Sequence, residues 1–95
     1  MSNSLTEHDR VQAVAFVDQA VGMGVLPTFV FNSAVTAATA SEVLAVLQFG
    51  SKPIAVMSMS PVVAKTLAAS LTSRIAEYEK KTGMVVPTID QIASR

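Results

Sequence analysis

The run from Ser60 to Gly83, SPVVAKTLAASLTSRIAEYEKKTG, constrains this chain more than any other stretch. Serine before a helix accepts a hydrogen bond from an unpaired first-turn N–H, a cap worth about 1 kcal/mol. Pro61 suits the first helical position, where its missing N–H costs nothing. Ala64, Leu67, Ala68, Leu71, Ile75 and Tyr78 then recur at helical spacing as one apolar stripe. Lys65, Thr72, Arg74, Glu77 and Lys81 lie off it. Lys80 and Lys81 fall where the carbonyl end of the helix dipole favours positive charge. Gly83 is a natural residue to end the helix in the left-handed region. Together these signals predict a helix over 61–82 whose apolar stripe packs on the rest of the chain.

The segments before Ser60 read as strands. Residues 28–38 (TFVFNSAVTAA) are rich in β-branched and aromatic side chains, residues 42–49 (EVLAVLQF) are apolar on both faces, and residues 54–59 (IAVMSM) resume extended structure. Residues 39–41 form a small polar break, and Gly50-Ser51-Lys52-Pro53 signals a turn. No connection is long enough for a crossover helix, so the strands pair as antiparallel hairpins. The expected fold is α+β: an antiparallel β-sheet of hairpins or a meander, followed by one long C-terminal amphipathic helix.

Residues 10–26 satisfy two patterns at once. Val11, Ala13, Ala15 and Val17 alternate as in a strand, whereas the Ala and Gln content, with Thr6 three residues before Asp9, suits a helix. The strand is preferred, with the helix left open. The expected organisation is one domain over 1–95: a polar lead (1–9), a mainly β body (10–59), the helix (61–82) and a tail (84–95). Pro87 keeps that tail out of a central strand position.

Hydrophobic residues make up 51% of the chain and charged residues 15%, against about a quarter charged in ordinary soluble domains. A chain of this length ordinarily buries roughly two-thirds of its unfolded surface. One helix covers one face of the 42–49 strand, and its second apolar face then needs other copies of the chain. The expected partner is therefore the chain itself, as a homo-oligomer. Seven acidic and seven basic residues cancel, and no basic cluster exceeds Lys80-Lys81, which argues against nucleic acid. No residue from Gln19 to Ser41 is charged, but Gly22, Gly24, Pro27, Asn32 and Ser33 argue against a membrane span there. Absence of cysteine excludes disulfides and thiolate metal sites. The start MSNSLTEHDR lacks the basic lead and apolar run of a secretory signal, so a cytoplasmic location is expected.

No catalytic pattern emerges. His8 is the single histidine and stands in the polar lead, and no His/Asp/Glu set has metal-ligand spacing. Gly22-Met23-Gly24 lacks the rest of a dinucleotide fingerprint, and Val62 stands where a Ser-x-x-Lys nucleophile would need serine. No enzyme activity, metal or cofactor is expected. Asp18 and Glu42 are the only charges between residues 11 and 51, and each is expected at a turn or sheet rim. Lys65 and Glu79 are explained by neither capping nor packing. Lys65, Glu79, Glu42 and Asp18 are the expected interaction-surface residues.

Several of these pieces recur together. Asn32-Ser33-x-Val35, a strand ending Phe49-Gly50, Met59-Ser60-Pro61-x-x-Ala64-Lys65-x-Leu67 and Ile75-x-x-Tyr78-Glu79-x-x-x-Gly83 span about residues 30–83. In this the chain resembles a small bacterial family of uncharacterised proteins, domain-of-unknown-function family thirty-four sixty-seven. It departs from the family at Gln48, where an aspartate often precedes Phe-Gly, and in its longer apolar N-terminal segment. The resemblance implies strands followed by a long helix, and no activity. The expected function is a non-enzymatic, self-associating structural or adaptor domain. The alternatives are a small-molecule or lipid-binding module with an apolar pocket between sheet and helix, and a shell- or membrane-associated assembly protein.

Overall fold

A computed structural model describes residues 7–93 of the chain. The element order is α1 (Glu7–Gly22), β1 (Ser33–Ala38), β2 (Val43–Phe49), β3 (Lys52–Met59), α2 (Pro61–Thr82) and α3 (Ile89–Ala93). The strands form one antiparallel sheet in the order β1-β2-β3. The fold is α+β, with two corrections. The sheet is preceded by a helix, and the long helix is followed by a short one. Contacts group the chain into two units, residues 1–36 with 45–57, and residues 37–44 with 58–95.

In the first unit, residues 7–22 are helical, which corrects both the preferred strand over 10–26 and the mainly β body over 10–59. Alternation there was carried by small residues, and alanine is the strongest helix former. Val11, Val14, Phe16, Val17 and Val21 fall on more than one side of the helix, so no single apolar face announces it. The helix closes as Met23 N–H donates to the Gln19 carbonyl at 3.1 Å, and Gly24 follows in the left-handed region at φ +68°. Asp18, expected at a turn or rim, therefore sits within α1.

The strand expected over 28–38 begins only at Ser33. The reason is the length of its neighbour. Asn32 N–H donates to the Gln48 carbonyl at 3.0 Å, and the Asn32 side-chain oxygen takes the Gly50 N–H, also at 3.0 Å. Beyond Gly50 the chain turns into β3, so residues 28–31 have no β2 backbone left to pair with. The turn itself is only Gly50-Ser51. Gly50 has φ +65° and Ser51 does not have positive φ, the pattern of a type II′ hairpin. β3 starts at Lys52, earlier than expected, because Pro53 is tolerated at the beginning of an edge strand.

In the second unit, Thr39 and Glu42 close the β1–β2 turn. Thr39 N–H donates to the Glu42 carbonyl at 2.8 Å, and the Thr39 hydroxyl accepts from Glu42 N–H at 3.1 Å. The helix α2 has the bounds its capping chemistry predicts. Ser60 Oγ accepts from Val63 N–H at 3.2 Å, Pro61 opens the first turn, and Gly83 at φ +71° donates its N–H to the Glu79 carbonyl at 2.8 Å. Thr66, Thr72 and Thr82 turn their hydroxyls back onto carbonyls one turn earlier, which satisfies them without breaking the helix. The expected tail is corrected at its end, where residues 89–93 form α3. There Gln91 N–H donates to Thr88 Oγ1 at 3.2 Å while Gln91 Oε1 accepts from Thr88 N–H at 2.8 Å, a reciprocal capping box.

Only Ala45 and Leu47, both on the central strand β2, are buried among the described residues. The stripe of α2 was expected to be packing surface. Instead α2 has no buried residue, and Leu71, Ile75 and Tyr78 are each about half exposed.

Candidate interaction surface

The four residues expected to mark an interaction surface do not converge. Asp18 is exposed on α1 in the first unit. In the second unit Glu42 is half-buried, and its Oε2 accepts from Ser58 Oγ at 2.7 Å, bracing the entry to β2 against the end of β3. Glu79 has a local structural task. Its Oε2 accepts from Val86 N–H at 2.7 Å, so one residue fastens both the helix end, through its carbonyl, and the chain beyond it, through its carboxylate. Lys65 is exposed and makes no ion pair among the described residues. At 1.5 Å of rise per residue, Lys65 and Glu79 stand about 21 Å apart along α2 and share no site. The His8 side chain lies outside the described residues. No group of three or more His, Asp or Glu among the described residues is placed to hold a metal ion.

What the structure does display is apolar surface. On α1, Val11, Val14, Phe16, Val17 and Val21 are exposed, Phe16 most of all at 72%. Residues 23–32, without regular structure, leave Met23, Val25, Leu26, Phe29, Val30 and Phe31 open to solvent. In the second unit the α2 stripe adds Leu71 at 54% and Tyr78 at 52%.

Sequence reasoning sought the surface among charges, because charges were few and unexplained. The signal that marks it is the uncharged run from Gln19 to Ser41, which the sequence reading assigns to buried β-structure rather than to a membrane span. Among the described residues no helix is long and apolar enough to cross a membrane.

The motif residues around the β2–β3 turn are polar and local. Beside the two Asn32 bonds, Ser33 Oγ donates to Gln48 Oε1 at 3.3 Å. Asn32, Ser33, Gln48 and Gly50 thus form one network that ties the start of β1 to the end of β2. This network orders the turn and presents no aligned nucleophile and base. Comparison of the chain with protein-family models, with curated proteins and with solved structures finds no match.

Proposed function

We propose that this chain is a non-enzymatic structural domain that works as a homo-oligomer. The observation that carries the proposal is that Ala45 and Leu47 alone are buried among the described residues of a chain that is 51% hydrophobic. Apolar surface left in water at this scale is covered by association in most soluble proteins. The covering chemistry must itself be apolar and uncharged, and the chain's own surface meets that requirement. Its balanced charge adds no repulsion between copies.

The resemblance to the bacterial family belongs to the same proposal. Its shared residues Asn32, Gly50, Ser60, Glu79 and Gly83 are caps and turn-formers here, which supports a shared scaffold and gives no support to a shared catalytic site. Light scattering on the purified full chain tests the proposal. A dimer or larger particle at micromolar concentration is expected, and a well-behaved monomer would overturn it.

A further inference from the structure

We propose that β1 pairs antiparallel with β1 of a second copy, so that two three-stranded sheets join across a two-fold axis; this rests on the self-association proposed above. The sheet order leaves two edges, β1 and β3. Exposed edges carry rows of unpaired backbone donors and acceptors, and proteins guard them with charge, proline, bulges or cover. β3 carries two such guards, Lys52 and Pro53, at its start. β1, with the sequence SAVTAA, has no charge, proline or glycine, and every residue from Ala34 to Ala38 is exposed, Val35 to 60%. It is the unguarded edge.

Successive residues of an antiparallel strand alternate in the side toward which their N–H and C=O point, so one alternate set of β1 amides faces β2 and the other faces the open edge.

A second copy is the occupant for two reasons. An isologous contact brings each residue near its own counterpart, and the uncharged run from Gln19 to Ser41 lets that happen with no like charges opposed. The same absence offers a charged partner nothing to pair with. Alanines at positions 34, 37 and 38 place little bulk along the edge, so backbones approach to strand spacing.

The test is residue-resolved amide hydrogen exchange on the full chain at a concentration where it is associated, with mass followed in parallel. One alternate set of amides between Ala34 and Ala38 is expected to be protected only in the associated chain, and to lose protection on dilution to monomer. Val35→Lys puts a charge on an edge residue that is 60% exposed and brings like charges together in a two-fold pair; it is expected to retain the helical and strand content of the parent and to lose the association. If the parent chain is associated while one alternate set of β1 amides exchanges as fast as an open edge, β1 pairing is overturned and self-association stands. Retained association in a folded Val35→Lys chain overturns it equally. A parent chain that is monomeric at every concentration overturns both proposals. Should Val35→Lys fail to fold, the exchange measurement on the parent chain still decides.

Discussion

Leu71→Ala separates what α2 contributes within one chain from what it contributes between copies. Leu71 lies at the centre of the Leu67–Leu71–Ile75 stripe and is 54% exposed. The substitution removes three carbons, about 2.4 kcal/mol of transfer free energy for a fully buried side chain. With somewhat under half of the residue covered by its own chain, the loss inside an isolated chain is about 1.1 kcal/mol. The uncovered part is then worth about 1.3 kcal/mol per chain when a second copy covers it, or about 2.6 kcal/mol per two-fold dimer. That corresponds to a dissociation constant weakened by about 80-fold. Sedimentation velocity over a concentration series reads the association, and urea unfolding of the dissociated chain reads the intrachain part. An unchanged dissociation constant with a loss of about 3 kcal/mol or more in the monomer would refute the reasoning. Leu71 would then be a core residue of its own chain.

The caps and turns give further tests. Ser60→Ala removes the acceptor for Val63 N–H and is expected to lower stability by about 1 kcal/mol, whereas Ser60→Gly costs only a few tenths, as chemical denaturation of both variants will show. Gly50→Ala places a side chain at φ +65° in open space, so backbone strain alone acts, and a loss of about 1–2 kcal/mol is expected in the same measurement. Glu79→Ala removes the acceptor for Val86 N–H; a loss of about 1 kcal/mol is expected, with faster exchange at the Val86 amide, while Glu79→Gln keeps an acceptor oxygen and most of the protection.

The parts of the fold that were legible are those decided by a few neighbouring residues. Ser60, Pro61 and Gly83 bound α2 through capping chemistry that operates whatever the helix touches. Gly50 announces the β2–β3 turn because it supplies positive φ. α3 is equally open to such reasoning, since Thr88 and Gln91 stand in capping-box spacing. Residues 28–31 were misread for a different reason. Their side chains suit a strand, yet pairing depends on a partner backbone, and Gly50 ends β2 at that level. α1 defeated periodicity because Ala and Val alternate as in a strand while no single apolar face announces the helix. Of the candidate surface, Glu42 and Glu79 proved to be braces whose partners, Ser58 and Val86, only the folded chain reveals. The need for other copies was visible in the composition, but which apolar residues remain open was not. Exposure is a property of tertiary packing, and the α2 stripe has the same spacing whether its cover comes from its own chain or another.

The dependence of the urea unfolding midpoint on protein concentration tests most directly whether association completes this fold. A folded dimer in equilibrium with unfolded chains gains about 1.4 kcal/mol of apparent stability for each tenfold rise in concentration, so the midpoint is expected to climb steadily from low micromolar to high micromolar protein. A midpoint that stays constant across that range, with a single cooperative transition, would mean that one chain folds by itself and would contradict the claim.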